Sequence, residues 1–262
     1  MARSETWRDQ RERRFRLDPE RVPRVLAALT AELPVVSYVP ESTRTLVVTT
    51  YLDSAQGDYL AMVERSSGHL SLKMRIREYM PLLDRSGEVR PLAVGATCFL
   101  ERKERVGDMR LKQRIELPKS EVARVLRREV KLRGEETVVS ALGAELDRHD
   151  LEPVLVSCYR RRVFGSDRGL RVTFDEELGF HAPPRHLYLV DGALTPEALG
   201  PAAARGPDHV LEVKEPKGTS TPAWLVDLLG GLEPAEHFSK FRDGMRALGA
   251  WRRERGRARV SG

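Results

Sequence analysis

Residues 97–117 read TCFLERKERVGDMRLKQRIEL and decide the fold. Charged and apolar residues alternate on either side of a Gly-Asp turn, which predicts two antiparallel strands joined in a hairpin. Successive side chains of a strand point to opposite faces, so one face of this hairpin is charged. That face carries Glu101, Lys103, Lys112, Arg114 and Glu116. Any half-buried antiparallel pair of strands can show such alternation, so it indicates a function only if it recurs along the chain.

The alternation recurs along the chain and predicts about eight strands in all. Besides the hairpin, the predicted strands span residues 10–17, 44–53, 70–79, 153–164, 169–175 and 208–215. Apolar residues at helical spacing predict helices at residues 19–33, 118–133 (with Ser120 as its cap), 134–146, 222–229 and 234–248. Residues 58–65 are predicted to be a short strand or turn, residues 81–96 a loop, and residues 192–207 a mobile loop or lid.

At least six of these strands carry charges at alternate positions, and the predicted helices are few and short for covering so wide a sheet. Closing the sheet into a barrel places the charged faces in the bore, leaves the apolar faces to the helices and removes exposed edges. The predicted fold is therefore α+β: an eight-stranded antiparallel β-barrel with flanking helices.

The bore of such a barrel is strongly basic. Its predicted cations are Arg14, Arg16, Lys73, Arg75, Arg77, Lys103, Lys112, Arg114, Arg161, Arg171 and Lys214. Its predicted carboxylates are Glu12, Glu101, Glu116, Asp175 and Glu212. Like charges held close together repel, so the bore needs a polyanion. A chain of phosphates fits this residue set, because Lys and Arg bind the oxygens and carboxylates bind a bridging Mg²⁺ or Mn²⁺.

Composition and motifs limit the other classes of protein that the chain could belong to. The 262 residues carry a net charge of +6, concentrated in the two termini, so any basic surface of the interior arises by sorting charges. No apolar run approaches the length of a membrane span and no signal peptide is evident, which favours a cytoplasmic protein with two reduced, packed cysteines. P-loop, dinucleotide-binding and nucleophile-elbow motifs are absent from the sequence, and the six histidines lack metal-site spacing.

The ordered set of segments resembles the VTC domain, the polyphosphate polymerase domain of the vacuolar transporter chaperone, within the triphosphate tunnel (CYTH-like) metalloenzymes. The segments are Glu12–Phe15, Tyr51–Asp53, Lys73–Tyr79, Phe99–Lys103, Tyr159–Arg161, Arg171–Asp175, Leu211–Lys214 and Ser239–Phe241. The resemblance implies one tunnel domain over residues 8–249, between a flexible N-terminus (1–7) and a disordered Arg-rich tail (250–262). It also implies transfer of the γ-phosphate of ATP to a growing polyphosphate chain, with release of ADP.

The resemblance assigns roles position by position. The catalytic set is Arg14, Arg75, Arg77, Lys103 and Lys240. The phosphate-binding set is Lys73, Lys112, Arg114, Arg161, Arg171 and Lys214. Glu212 is the metal-binding glutamate, with Glu12, Glu101 and Glu116 as further ligands of Mn²⁺ or Mg²⁺. Arg14 stands where the family usually has lysine, which keeps the charge but changes the reach and the hydrogen-bonding geometry.

Two alternatives stay open. A tunnel triphosphatase would act on inorganic triphosphate, thiamine triphosphate or an RNA 5′ end; hydrolytic relatives commonly carry an ExExK first strand, whereas this chain has Gln10 before Glu12 and Arg14. A non-catalytic module would only bind polyphosphate. The expected partners are ATP and polyphosphate or another triphosphate, with no DNA and no membrane segment. Product length, priming acceptor and oligomeric state stay open.

Overall fold

The computed structural model describes residues 3–7, 10–40, 42–66, 69–85, 88–91, 95–107, 109–167, 169–184, 187–188 and 194–260. These residues form one large sheet with helices on its outer side. None of the helices in the described ranges has the length and apolar content needed to cross a membrane. Both cysteines, Cys98 and Cys158, are buried and free, as predicted.

The sheet contains twelve strands. They are β1 (Arg3–Trp7), β2 (Gln10–Leu17), β3 (Arg44–Asp53), β4 (Leu70–Arg85), β5 (Glu88–Pro91), β6 (Thr97–Val106), β7 (Met109–Pro118), β8 (Glu152–Gly165), β9 (Arg171–His181), β10 (Ala204–Arg205), β11 (His209–Pro216) and β12 (Glu233–Pro234). The helices are α1 (Val22–Glu32), α2 (Asp58–Arg65), α3 (Val122–Leu126), α4 (Glu136–Arg148), α5 (Pro196–Leu199), α6 (Ala223–Gly230) and α7 (Lys240–Val260).

All strand pairs are antiparallel, but the predicted closed eight-stranded barrel is wrong. The hydrogen-bonded order is β1-β7-β6-β4-β3-β8-β9-β11-β2-β12, with β5 on β4 and β10 on β9, so the sheet is open. The reason lies in the N-terminal chain, whose first part pairs with β7 and whose second part pairs with β11. Because β1 occupies the free edge of β7, β2 has no access to it.

The two ends of this open sheet nevertheless lie side by side. Trp7 ends β1 and Gln10 begins β2, and three residues span at most about 11 Å between Cα atoms. In addition, Arg110 Nη1 of β7 lies 2.6 Å from Glu12 Oε2 of β2. The sheet is therefore curled around a central space, although backbone hydrogen bonds do not close it among the described residues.

The hydrophobic core lies between the outer face of the sheet and the helices. One cluster joins Met74, Ile76 and Leu100 of the sheet to Val138 and Leu142 of α4, and Phe241 and Leu248 of α7 belong to it too. A second cluster packs α1 and α6 against β2, β9 and β11. The alternating pattern thus sends apolar side chains outward to the helices and charged side chains inward, as predicted.

Several elements differ from the sequence prediction. Residues 58–65 form a helix because the Asp53 carboxylate accepts hydrogen bonds from the backbone N–H groups of Ser54, Tyr59 and Leu60 and so caps the start of α2. Part of the predicted loop 81–96 continues β4 and forms β5.

Other differences concern helix lengths and the termini. The predicted helix 118–133 is reduced to a 3-10 turn and α3, with no side-chain cap from Ser120. The described part of 192–207 contains α5 and β10. Where the sequence predicts unstructured ends, residues 3–7 form β1 and α7 continues to Val260. Arginine is a good helix former, so an Arg-rich segment that follows a packed helix can extend it.

Candidate active site: a basic channel

The curled sheet encloses a cavity of about 1080 Å³, which we call the channel. Eleven Lys and Arg side chains line it, and all of them belong to the predicted catalytic or phosphate-binding sets. They are Arg14, Lys73, Arg75, Arg77, Lys103, Lys112, Arg114, Arg161, Arg171, Lys214 and Lys240. Arg16, which was also predicted for the bore, is exposed and does not line the channel.

Three lysines form a row across neighbouring strands. The strand register places Lys112 of β7 opposite Lys103 of β6, and Lys103 opposite Lys73 of β4. Like charges directly opposite each other destabilise a sheet. Burial and the surrounding cations lower the pKa of Lys73 to about 7 and hold the pKa of Lys103 well below its ordinary value. The row is therefore a site that gains from an added anion.

Lys112 has a carboxylate partner, whereas the other two members of the row have none in the described part of the chain. The Lys73 ammonium donates a hydrogen bond to Ser239 Oγ, at 3.1 Å. Lys103 has no hydrogen bond or ion pair with any described residue. These two lysines are consequently available to bind phosphate oxygens.

Glu101 lies beneath the channel wall and is completely buried. Arg75 donates to Glu101 Oε2 from Nε at 2.8 Å and from Nη2 at 2.7 Å, Arg77 Nη1 lies 3.7 Å from the same oxygen, and Lys112 Nζ is 3.1 Å from Oε1. Burial alone would raise the pKa of Glu101, but these three cations outweigh it and lower that pKa strongly. Glu101 thus orients two arginines and a lysine toward the channel.

Asp175 has the same function on the opposite wall. Arg161 donates to its two oxygens at 2.6 and 2.8 Å, and Lys240 Nζ lies 2.7 Å from Oδ2. The ring of Tyr159 supports both cations, with Lys240 Nζ 4.5 Å and Arg161 Cζ 5.2 Å from its centroid. Burial opposes ionisation of Asp175, yet the two cations keep its pKa below the ordinary value.

Among Glu101, Asp175 and Glu212, the carboxylate that a ligand in the channel can reach is Glu212. Its side chain is 17% exposed, compared with 0% for Glu101 and 2% for Asp175. Arg14 Nε donates to Oε2 at 2.9 Å, and Lys214 Nζ lies 3.1 Å from Oε1. These charges overcome the effect of burial and hold the pKa of Glu212 well below its ordinary value.

The N-terminus of α7 closes one region of the channel wall. Ser239 precedes the helix, its N–H donates to the Asp243 carboxylate at 3.0 Å, and its Oγ accepts from the Arg242 N–H at 3.4 Å. Arg14 Nη1 donates to the carbonyl of Phe238 at 3.1 Å. The positive end of the helix dipole therefore adds to the basic potential around Lys240.

The four predicted metal ligands are not brought together. Glu116 is exposed and does not line the channel, Glu101 is enclosed by cations, and Glu12 is held by Arg14 and Arg110. Within the described ranges, no group of three His, Cys, Asp or Glu residues could hold a metal. The residues fit a Mg²⁺ or Mn²⁺ ion only if Glu212 supplies one ligand and bound phosphates supply others, which is how proteins commonly bind Mg²⁺.

Sequence reasoning missed the aromatic lining and one arginine. Arg77 Cζ lies 5.9 Å from the ring centroid of Tyr79, and Arg114 Cζ lies 4.9 Å from that of Phe99. Tyr79 is two residues beyond Arg77 on the same strand face, so the spacing that identified the cations also predicts the aromatic side chain. No sequence pattern indicates the role of Arg110, because its ion pair with Glu12 forms only when the sheet curls.

This chain is similar to one protein family and to several solved structures. The sequence model of the VTC domain family matches residues 9–249. A candidate adenylate cyclase from Bacillus halodurans has a similar solved structure, with a TM-score of 0.50 and 15% identity over 91% of this chain and 97% of that chain. A candidate adenylyl cyclase from Hippeastrum, described as having a dominant triphosphatase activity, has a TM-score of 0.46 and 17% identity over 91% of this chain and 95% of that chain.

At these identities the structural similarity concerns the fold alone. A search of curated proteins found no significant match. The family match covers most of the chain, including every residue that lines the channel. The chain therefore belongs to the VTC domain family.

Proposed function

We propose that this protein is a metal-dependent polyphosphate polymerase. It transfers the γ-phosphate of ATP to the end of a growing polyphosphate chain inside the channel and releases ADP. The observation that supports this most is the convergence of eleven Lys and Arg side chains on one cavity, including the row of three lysines. Such an excess of fixed cations fits a ligand of several linked phosphates better than one of a single phosphate.

Catalysis would rest on positioning and charge stabilisation. Arg75 and Arg77, oriented by Glu101, bind oxygens of the triphosphate on one wall, and Lys240 binds them near the start of α7. Arg14 and Lys103 stabilise the charge that develops on the transferred phosphoryl group. The remaining cations, Lys73, Lys112, Arg114, Arg161, Arg171 and Lys214, bind the other phosphates of the nucleotide and of the acceptor chain.

Glu212 would hold the metal, because it is a partly exposed carboxylate among the cations of the channel wall, whereas the exposed Asp167 lies at the mouth. A bound Mg²⁺ or Mn²⁺ supplies charge neutralisation of the phosphate oxygens. Arg14 and Lys214 position the Glu212 carboxylate from two sides.

The acceptor that the site favours is phosphate and not water. Attack by water requires a base to remove a proton, whereas the terminal phosphate of a polyphosphate chain is already anionic. Glu101, Asp175 and Glu212 are paired with cations, and Gln10 lines the channel where hydrolytic relatives carry a glutamate. The site thus offers few groups that could activate water.

A triphosphatase is the second candidate, and Lys73 is the observation that favours it. With its pKa lowered to about 7, Lys73 is partly neutral near pH 7 and could accept a proton from water. Bound phosphates would raise this pKa again, since they favour the charged form, so the base would weaken when substrate is present. This is why we rank phosphoryl transfer to polyphosphate first.

The test is incubation of the purified protein with ATP and Mn²⁺ or Mg²⁺, followed by separation of the products. A polyphosphate ladder with ADP supports the polymerase, free phosphate without a ladder supports the triphosphatase, and binding without turnover supports a non-catalytic module. Glu212→Gln should abolish metal-dependent turnover, whereas the matched change at the exposed Glu152 should not alter it. Full activity of Glu212→Gln would refute the metal assignment.

A further inference from the structure

The mouth of the channel carries an aromatic side chain that phosphate binding does not use. Tyr38 lines the channel beside Arg171, and 61% of its surface is exposed. It is the most exposed of the large hydrophobic side chains in the described part of the protein. An exposed aromatic ring at the rim of an anion site can bind a ligand group other than phosphate.

Tyr38 is fixed in place. The segment before it is bonded to the end of β8: Val36 N–H donates to the carbonyl of Val163 at 2.8 Å, and Gly165 N–H donates to the carbonyl of Pro34 at 3.1 Å. At the end of β4, the carbonyl of Leu82 accepts a hydrogen bond from Ser42 Oγ.

The tyrosine ring is also oriented by its own hydroxyl. Arg171 Nη2 donates a hydrogen bond to the Tyr38 hydroxyl oxygen at 2.9 Å. The ring is thereby held at the rim while most of the residue stays exposed. Little side-chain entropy would be lost when a planar group stacks on it.

The position of Tyr38 relative to the phosphate ligands fits a nucleotide. Arg171 marks the mouth on β9, and Asp175, which holds Lys240, marks the deeper end of the same strand face. Four residues of a strand span about 13 Å, so the cations are distributed over a length suited to several phosphates. A group attached to the outermost phosphate would emerge beside Tyr38.

The chemistry of the mouth favours an uncharged planar group there. Asp167 and Ser166 line the same rim, and the Asp167 carboxylate would repel further phosphates. A nucleobase is planar, stacks on aromatic side chains and carries N–H donors for such a carboxylate. Polyphosphate has no planar group that could use this surface.

We propose that Tyr38 is a stacking platform for the nucleobase of a nucleoside triphosphate whose phosphates occupy the channel. The inference rests on the proposed function, because it requires a triphosphate in the channel. It adds a site that distinguishes ATP from inorganic triphosphate.

The test compares the affinities of ATP and tripolyphosphate for the full chain, by calorimetry, in the wild type, Tyr38→Ala and Tyr38→Phe. Tyr38→Ala should weaken ATP binding roughly 5- to 100-fold, in line with the loss of one base–aromatic stack. Its effect on tripolyphosphate should be at most about twofold. Tyr38→Phe also releases Arg171 but keeps the ring, so it should preserve the ratio of the two affinities.

The outcomes separate this proposal from the proposed function. If Tyr38→Ala leaves the ratio of the ATP and tripolyphosphate affinities unchanged, the stacking platform is refuted while the triphosphate site stays intact. The same holds if Tyr38→Phe loses as much ATP affinity as Tyr38→Ala does. Failure of the wild type to bind either ligand would overturn both. A 5′-triphosphorylated RNA dinucleotide serves as a third ligand. If it binds more tightly than ATP, the platform belongs to an RNA end and the proposal of a free nucleotide is refuted. If it binds more weakly than ATP, the proposal of a free nucleotide is supported.

Discussion

At the scale of single residues, the buried carboxylates of the channel hold cations in place. Glu101 and Asp175 are almost fully buried, and each contacts at least two Lys or Arg side chains. A buried charge is costly unless it is paired, so each carboxylate is retained together with its partners. The result is a set of cations whose positions are fixed before a ligand binds, which lowers the cost of ordering them later.

Removal of the Glu101 charge should destabilise the fold. Glu101→Gln leaves Arg75, Arg77 and Lys112 without their common anion, and breaking a buried ion pair in this way typically costs about 3–5 kcal/mol. Chemical denaturation would measure the loss. The same change at the exposed Glu152 is the control and should lie within about 0.5 kcal/mol of wild type. Equal stability of the two variants would contradict a structural role for Glu101.

Lys73 should make phosphate binding dependent on pH. In the folded protein the pKa of Lys73 is about 7, compared with an ordinary value of 10.5, so between these values the folded state holds less than a full proton at this site. A bound polyanion favours the charged lysine, so tripolyphosphate binding at pH 8.5 should take up protons, and the part of the uptake that belongs to Lys73 should disappear below about pH 6. Calorimetry in buffers of different ionisation enthalpy measures the uptake.

Lys73→Met should reduce this proton uptake, whereas Lys131→Met, at an exposed position, should not. The neighbouring Lys103 also has a lowered pKa and accounts for uptake that remains in Lys73→Met. The assignment fails if binding at pH 8.5 proceeds without proton uptake in the wild type.

At the scale of elements, α7 connects the hydrophobic core to the channel. Its first turn supplies Lys240 to Asp175, while Phe241 packs 5.1 Å from Tyr51, measured between ring centroids. Close packing of the helix on the sheet is possible because Gly244 has no side chain. A Cβ atom at that position would lie 2.7 Å from Leu155 Cδ2 and from Phe180 Cδ1.

Gly244→Ala should therefore push α7 away from the sheet. We expect the free energy of unfolding to fall by about 1–3 kcal/mol, as for other overpacked cores. The affinity for tripolyphosphate should fall as well, because Lys240 lies one turn earlier on the same helix. Gly143→Ala in α4 is the matched control: no atom lies within 4 Å of the new Cβ, so stability should be unchanged or higher by up to about 1 kcal/mol.

At the scale of the whole molecule, the fold keeps its excess positive charge on the inside of a curled sheet. Eleven cations line the channel, and the lysine row crosses three neighbouring strands, β4, β6 and β7. This arrangement stores electrostatic repulsion in the folded state. A polyanion that binds only the folded channel should consequently stabilise the entire protein.

Tripolyphosphate at 100 times its dissociation constant should raise the free energy of unfolding by about 2.7 kcal/mol. Thermal unfolding with and without the ligand measures the shift, and NaCl at the same ionic strength is the control. The ligand effect should decrease at 1 M salt, where charges are screened within about 3 Å. An equal shift with NaCl alone would show that the channel has no specific affinity for linked phosphates.

The sequence by itself determined which side chains face the interior. In a strand the side-chain period is two, so Lys73, Arg75 and Arg77 must share a face, and the same rule applies to Lys112 and Arg114. Burial of the apolar face then leaves the charged face for the bore. This reasoning identified ten of the eleven cations of the channel, together with the bounds of β2 and β3. Lys240, which lies on α7, was indicated by the family resemblance instead, and Arg16 was wrongly included.

Only the tertiary structure decided how strands and charges are paired. The period of a strand says nothing about its neighbours, so the open order of the sheet and the division of the N-terminal chain between β7 and β11 could not be predicted. The same limit applies to the carboxylates, because their role depends on contacts across strands. Glu101 binds three cations, whereas Glu212 is partly open to a ligand, because the curled sheet, and not the local sequence, sets which charges lie within 4 Å.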